Sequence, residues 1–182
     1  MAKNDRENIK PPLRNVFLTG FMCSGKTTAG RLLARSLGLA FADSDALVEK
    51  KTGRSIAALA EKSGMAAFRR LEAACVKELA AGRGRVVALG GGVYPSRRWS
   101  RTLKNGGTVV FLHCPWPELK KRLKAASGPR PLLKGPWERA AARAEKLYAR
   151  RLPFYLKAGI TVKTSGLTPT ATAAAIIKEL KK

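Results

Sequence analysis

One short stretch of this chain has the glycine, lysine and threonine spacing that binds phosphate groups. Residues 20–27 have the sequence GFMCSGKT and fit the pattern G-x-x-x-x-G-K-[ST]. Its glycines let the backbone curl so that successive N–H groups point toward phosphate oxygens. The lysine supplies a mobile positive charge for the β- and γ-phosphates, and the threonine hydroxyl can ligate Mg²⁺. The predicted nucleoside triphosphate site comprises Cys23, Ser24, Gly25, Lys26, Thr27 and Thr28.

A second group of residues could act on the molecule that receives the phosphate. Asp43-Ser44-Asp45 follows an apolar run, and residues i and i+2 of an extended segment share a face. Beside a bound magnesium nucleotide, one carboxylate can reach the metal while the other takes a proton from an acceptor hydroxyl. The same three residues also suit an Asx turn or the N-cap of a following helix, so the pattern alone leaves both roles open.

Glycine and arginine residues further along could complete an acceptor site. Gly90-Gly91-Gly92 would let a ligand approach the backbone closely, although a flexible turn is the alternative. Arg69 and Arg70 lie in a predicted helix, where one guanidinium could bind a carboxylate through two parallel bonds. Solvation of the helix surface is the other role open to them.

Alternating strand and helix patterns must position these residues. Helical spacing covers residues 27–37, 55–81 with an interruption near residues 63–64, 117–126, 137–150 and 169 to the end, and the strand-like apolar runs are 16–18, 39–42, 86–89, 108–112 and 160–162. Such alternation predicts βαβ crossovers and a parallel sheet, which binds ligands outside the carboxyl ends of its strands. We therefore expect one α/β domain over residues 13–182, preceded by a disordered lead-in over residues 1–12.

The composition sets limits on partners and location. The 182-residue chain has a formal net charge of +24, which suits nucleic-acid binding or a solvated basic surface around an anion site. The basic residues are spread along the chain with few aromatics between them, which makes nucleic acid the less favoured partner. No apolar run could span a bilayer, and the three cysteines form no Cys-x-x-Cys pair. These features predict a cytoplasmic protein with reduced thiols.

Six motifs in order give the chain a specific resemblance. The phosphate loop, DSD, FRRLE, ALGGG, RPLL and RLPFY together resemble shikimate kinase over nearly the whole length from about Val16. That family transfers the γ-phosphoryl group of ATP to the 3-hydroxyl of shikimate, on the route to chorismate and the aromatic amino acids. The resemblance implies the nucleoside monophosphate kinase fold, with a five-stranded parallel sheet of order 2-3-1-4-5, a mobile lid and a monomeric enzyme.

Motif matching also implies roles for single residues. Asp45 would bind the shikimate hydroxyls and act as the catalytic base, and Asp43 would lie in the outer shell of Mg²⁺, which Thr27 ligates directly. The shikimate-binding set would be Asp45, Arg69, Gly91 and Arg151, with Glu72 bracing it. Lys26 and Arg130 would complete the catalytic set; Arg130 would also bind ATP from the lid, residues 125–134.

The chain departs from the family pattern at several positions. Cys23 stands where the family usually has glycine, and a side chain there is expected to require a negative φ. Arg122 is the nearest match for the adenine-facing arginine, at a spacing one residue too long. Two other functions remain open: a phosphate-loop kinase of another hydroxy acid such as gluconate, and a basic nucleic-acid-binding protein whose nucleotide site is regulatory.

Overall fold

Five parallel strands form one sheet with the order β2-β3-β1-β4-β5 in the computed structural model. The structure describes residues 14–94, 97–126 and 133–182, with the backbone alone at residues 97 and 98. The predicted lead-in, Arg130 and most of the predicted lid lie outside the described residues. The strands are β1 (Asn15–Thr19), β2 (Ala40–Asp43), β3 (Arg85–Ala88), β4 (Gly107–His113) and β5 (Ile160–Lys163). The predicted sheet and its strand order are confirmed.

Seven helices connect and cover the strands within the described residues. They are α1 (Lys26–Leu37), α2 (Ser44–Thr52), α3 (Ile56–Ala81), α4 (Arg97–Gly106), α5 (Trp116–Ala125), α6 (Trp137–Tyr155) and α7 (Pro169–Leu180). The expected interruption of α3 falls at Gly64, whose φ of 77° and ψ of 160° are not helical. None of the described helices has an apolar stretch long enough to cross a membrane.

The sequence prediction missed α2 and α4 and ended α6 too early. The α2 helix buries only Ser44 and Val48, so it has no apolar stripe to produce a helical pattern. In α4, Trp99 and Leu103 are the buried apolar residues among basic ones. The α6 helix was expected to end at residue 150, but it continues through Pro153 to Tyr155. All three differences reflect tertiary contacts that override weak local signals.

Alternate residues of the central strand face two separate cores. Val16 and Leu18 pack toward α1 and α7, whereas Phe17 packs on the opposite face among residues of α3, α4, α5 and α6. All five residues of β1 are buried, as expected for a strand covered on both faces. Because β1 is the middle strand, the loop that follows it begins at the centre of the sheet edge, between the helices that cover the two faces.

The buried side chain of Asn15 fixes the start of this strand. Its amide nitrogen donates to the carbonyl oxygens of Leu79 at 3.3 Å and Gly82 at 2.7 Å, and its oxygen accepts from the Arg85 N–H at 3.1 Å. One side chain thus ties β1 to the end of α3 and the start of β3. Since it is fully buried, none of these bonds can be replaced by water.

We predict that Asn15→Ala lowers the free energy of unfolding by about 3 kcal/mol, because it removes three buried hydrogen bonds. The exposed cap Thr168→Ala is the control; it removes one bond to the Ala171 N–H and is expected to cost about 1 kcal/mol. Urea denaturation of the two variants measures the difference. Equal losses in both would contradict a special role for Asn15.

Candidate active site

The phosphate-binding stretch forms the turn between β1 and α1. Gly25 is the N-cap of α1 with a φ of 92°, and no side chain caps this helix start. Unpaired backbone N–H groups and the positive end of the helix dipole therefore face the loop, which favours an anion there. Lys26 donates from Nζ to the carbonyl oxygens of Gly20 at 3.0 Å and Phe21 at 2.9 Å. The lysine ammonium thus lies inside the loop.

Cys23 adopts a conformation that the sequence analysis did not expect. Its φ is +60°, and among the described residues it is the one non-glycine residue with a positive φ. The expectation of a negative φ is wrong, because the curl of the loop requires the left-handed region at the place where the family usually has glycine. A side chain in that region costs about 1–2 kcal/mol. The half-buried thiol packs against the core instead of disturbing the loop.

The two aspartates of the DSD motif lie where β2 ends and α2 begins: Asp43 is the last residue of the strand, and Asp45 lies in the first turn of the helix. Asp43 is the N-cap of α2, and its Oδ1 accepts from the N–H groups of Asp45 at 3.0 Å and Ala46 at 3.4 Å. Its other oxygen, Oδ2, accepts from the Thr27 hydroxyl at 2.7 Å. The helix cap left open by the sequence is therefore formed, and the same carboxylate reaches the phosphate loop. Thr27 and Asp43, the two residues predicted to bind the metal ion, are therefore in direct contact.

Asp45 is a carboxyl group whose charge is poorly compensated. Burial raises its pKa to about 6, with further upward contributions from the negative charges of Asp43 and Glu72. The positive charges of Lys26 and Arg69 lower the pKa but do not offset the burial. Its Oδ1 is buried with no hydrogen-bond partner among the described residues. An unpaired oxygen on a group that titrates near neutral pH is what a general base requires.

Lys26 belongs to the same electrostatic group. Burial lowers the pKa of its ammonium, whereas the negative charges of Asp45 and Asp43 raise it, in that order of strength. The positive charge of Arg151 adds a smaller lowering effect. These mutual effects require the phosphate loop, the DSD motif and Arg151 to lie around one cleft.

Three consecutive glycines after β3 bring the remaining charged groups together. A Cβ atom on Gly90 would lie 2.6 Å from Asp45 Oδ1 and 2.8 Å from Glu72 Oε1. One on Gly92 would lie 2.7 Å from Arg69 Nη1, and one on Gly91 would lie 3.5 Å from Arg151 Nη1. Distances below 3.0 Å exclude a side chain at the first and last positions unless the charged groups move. The flexible-turn alternative is therefore insufficient, because the glycines provide the space these groups occupy.

The two arginines are held in different ways. Arg69 donates to Glu72 Oε2 at 2.5 Å, and its side chain is 42% exposed while that of Glu72 is 7% exposed. The glutamate thus anchors one edge of the guanidinium and leaves the rest available to a ligand. Arg151 is hydrogen-bonded to the hydroxyl of Tyr155, whose pKa burial raises to about 12. A tyrosine with that pKa stays neutral and orients the arginine without a competing charge.

Two positioning residues were missed by the sequence analysis. The Ser44 hydroxyl accepts from the Gly90 N–H at 2.8 Å, and the Tyr155 hydroxyl donates to the carbonyl oxygen of Gly91. Both fix the glycine turn relative to the DSD motif and α6. Ser44 lies in the DSD motif and Tyr155 in the RLPFY motif. Neither motif indicates which residue the hydroxyl group will contact. Only the fold supplies that information.

Arg122, the predicted adenine-facing residue, forms hydrogen bonds within the protein. Arg122 donates to Glu118 Oε1 at 3.0 Å and to the carbonyl oxygen of Thr164 at 3.4 Å. These bonds attach the end of α5 to the segment after β5. Arg122 remains a prediction as an adenine-facing residue, and Thr28, exposed on the first turn of α1, remains one as an ATP-binding residue.

A phosphate loop after the central strand, on a parallel sheet of this order, defines the P-loop kinase fold. A sequence model of the shikimate kinase family matches residues 22–181. The chain belongs to the shikimate kinase family and is an enzyme of that family.

Individual shikimate kinases are similar to this chain over nearly its full length. The chain is 36% identical to a shikimate kinase of Thermodesulfovibrio yellowstonii, covering 93% of this chain and 96% of that protein. It is 40% identical to one of Chlorobium chlorochromatii, covering 92% and 90%. Among solved structures, shikimate kinase from Acinetobacter baumannii in complex with shikimate superposes with a TM-score of 0.85 at 34% identity, over 94% of each chain.

The alternative hypothesis, a kinase of another hydroxy acid such as gluconate, has much weaker support. A gluconokinase from Sinorhizobium meliloti superposes with a TM-score of 0.56 at 19% identity, a likeness that shows the fold alone. Shared architecture does not carry a shared acceptor, because the acceptor is chosen by side chains at the site.

We predict that Asp45→Asn raises the free energy of unfolding at pH 7 by up to about 3 kcal/mol. This is the free energy that corresponds to the rise of the Asp45 pKa from an ordinary 3.8 to about 6, and the variant removes the charge that causes it. A raised carboxyl pKa means that the folded state binds the proton more tightly than the unfolded state, so the penalty is complete above pH 6 and vanishes below about pH 4. Urea denaturation at pH 7 and pH 4 measures the change.

The control for this prediction is Asp43→Ala. That variant removes the α2 cap and the bond to Thr27, so it is expected to destabilise the protein at pH 7. Destabilisation of both variants would contradict the assignment of Asp45 as the carboxylate that is unfavourable to bury.

Proposed function

We propose that this protein transfers the γ-phosphoryl group of ATP to the 3-hydroxyl of shikimate, giving shikimate 3-phosphate and ADP, on the route to chorismate. One observation carries the proposal: the glycine turn at residues 90–92 gathers one basic carboxylate and two arginines beside the phosphate loop. A small acid with several hydroxyl groups has the complementary chemistry. Membership of the shikimate kinase family supports the same substrate.

The acceptor is held through its carboxylate. Arg69 and Arg151 lie against Gly92 and Gly91 of the same turn, so the two guanidinium groups can bind one carboxylate between them. Glu72 keeps Arg69 in place, and Tyr155 does so for Arg151. Fixing the carboxylate at one end directs the ring hydroxyls toward Asp45.

The chemical step needs a base and charge stabilisation. Asp45 accepts the proton of the 3-hydroxyl as that oxygen forms a bond to the γ-phosphorus, and the bond from phosphorus to the bridging oxygen breaks to release ADP. Lys26 and the backbone N–H groups of the phosphate loop neutralise charge on the phosphates. We further propose that Arg130 closes over ATP from the lid and stabilises the transferred group, which excludes water.

The kinases of this class work with a divalent metal ion, and we infer that here it is Mg²⁺. Hard oxygen donors suit that ion, and the Thr27 hydroxyl and the Asp43 carboxylate offer them 2.7 Å apart. Thr27 would ligate it directly and Asp43 through its outer shell. When bound, the ion neutralises charge on the β- and γ-phosphate oxygens.

The setting we propose is the cytoplasm, with the protein acting as a monomer. Three free cysteines suit a compartment that keeps thiols reduced. The candidate groups all come from one chain, so a single protomer suffices for the proposed reaction.

A coupled ADP-release assay with shikimate and gluconate as alternative acceptors tests the proposed function. We expect ADP release that depends on shikimate, and a kcat/KM for gluconate lower by a factor of at least about 10³, because its open chain does not hold a hydroxyl in a fixed position relative to the bound carboxylate. Comparable rates with the two acids, or none with shikimate, would refute the proposal.

For the base, we predict that Asp45→Asn lowers kcat by about 10²- to 10⁴-fold while ATP binding stays within a few-fold of wild type. In the wild-type enzyme kcat/KM should fall as the pH drops below about 6, because protonated Asp45 cannot accept the hydroxyl proton. Initial rates across pH, and calorimetry with a non-hydrolysable ATP analogue, provide the measurements. Residual activity in the variant that keeps the same acid limb would assign the base elsewhere.

For the carboxylate clamp, we predict that Arg151→Ala raises the KM for shikimate about 10- to 100-fold, the value of one or two charge-assisted bonds. The KM for ATP should change much less. Arg150→Ala is the matched control, since this neighbouring arginine is exposed on α6. Equal changes in both Michaelis constants, or the same shikimate effect in the control, would count against the clamp.

A further inference from the structure

We propose that a pocket separate from the candidate active site binds a small organic phosphate. The pocket has a volume of about 430 Å³ and lies between α4, the end of the glycine turn and the end of α6. Seven of the described residues line it: Tyr94, Ser100, Arg101, Lys104, Asn105, Phe154 and Lys157. None of them belongs to the nucleotide or shikimate sites described above, so an occupant would be an additional ligand.

The charge of the lining selects an anion. Arg101, Lys104 and Lys157 bring three positive charges to one pocket, and none of the seven lining residues is acidic. An arginine with two lysines matches the geometry of a phosphate group, because the guanidinium can donate two parallel bonds while the ammonium groups act as point charges. Ser100 and Asn105 add neutral polar groups that can serve as hydrogen-bond donors.

The aromatic part of the lining selects an organic ligand over a free ion. Tyr94 and Phe154 contribute rings to the same pocket, and the Lys157 ammonium lies 5.6 Å from the centre of the Phe154 ring. A phosphate ester with a flat apolar body would place its charge among the cations and its body against the rings. Inorganic phosphate would use only the first of these contacts.

Hydrogen bonds also join the segments that line the pocket. Two tyrosine bonds join the segment 91–94 to residues 155–157 at and just after the end of α6: the Tyr155 hydroxyl donates to the Gly91 carbonyl oxygen, and the Tyr94 hydroxyl donates to the Lys157 carbonyl oxygen at 2.8 Å. Ser100 of α4 is hydrogen-bonded to the Tyr94 side chain, which fixes the third wall. A preformed pocket loses little entropy on binding, which favours a small ligand.

An NMR titration with phenyl phosphate, in the presence of saturating ADP to fill the phosphate loop, tests the proposal. We expect saturable shifts of the backbone amides of Arg101, Lys104 and Asn105, and weaker binding of inorganic phosphate at the same amides. In Arg101→Gln/Lys157→Gln the dissociation constant should rise at least about tenfold, because two charge-assisted contacts are lost. The Lys157 carbonyl that accepts from Tyr94 is unchanged by this substitution.

The control is Arg54→Gln/Lys120→Gln, which removes one arginine and one lysine charge at exposed positions that do not line the pocket. It should bind phenyl phosphate as wild type does. Equal weakening in both double variants would show a diffuse effect of net charge and overturn the site. Shifts confined to residues around Arg69 and Arg151 would show that the probe enters the acceptor site alone, and would overturn it equally. Lys104→Gln alone, which should weaken binding severalfold, repeats the test should the double variant unfold.

Discussion

The close approach of charged side chains to bare backbone at residues 90–92 is the constraint on which the site depends. Asp45 and Glu72 occupy the space beside Gly90 where a side chain would be, and Arg69 does the same beside Gly92. A larger residue at either position would displace a charged group. The turn therefore sets the distance between the carboxylate, the arginines and the phosphate loop.

Gathering these charges has a thermodynamic consequence. The negative charges of Asp43 and Glu72 and the burial of Asp45 all raise the Asp45 pKa, and burial lowers that of Lys26, so neither ion is at its most stable. The fold tolerates them because β1 and β3 are buried and tied together by Asn15 at the opposite end of the sheet. Local instability at the site is therefore compatible with a stable core, as in many active sites.

The sequence analysis succeeded where a local pattern has one physical meaning and failed where tertiary contacts decide. Glycine at residue 38 ends α1 with a φ of 64°, as expected from a helical pattern that stops there. By contrast, α2 has no apolar stripe, so the sequence did not predict the helix that holds Asp45 and left open whether Asp43 caps a helix. Cys23 shows the same limit, since the φ imposed by a loop cannot be seen in the residue that occupies it.

The sequence by itself determined the five strands, five of the seven described helices, the phosphate loop, the family motifs and the high net charge, because each depends on residue types at short spacing. Only the tertiary structure decided that the Asp43 carboxylate accepts from Thr27, that Tyr155 holds Gly91, and that Arg101, Lys104 and Lys157 line one pocket. Those contacts join residues that are far apart in the chain. The two contacts at the candidate active site depend on the crossovers between parallel strands, which bring the carboxyl ends of distant strands to one edge.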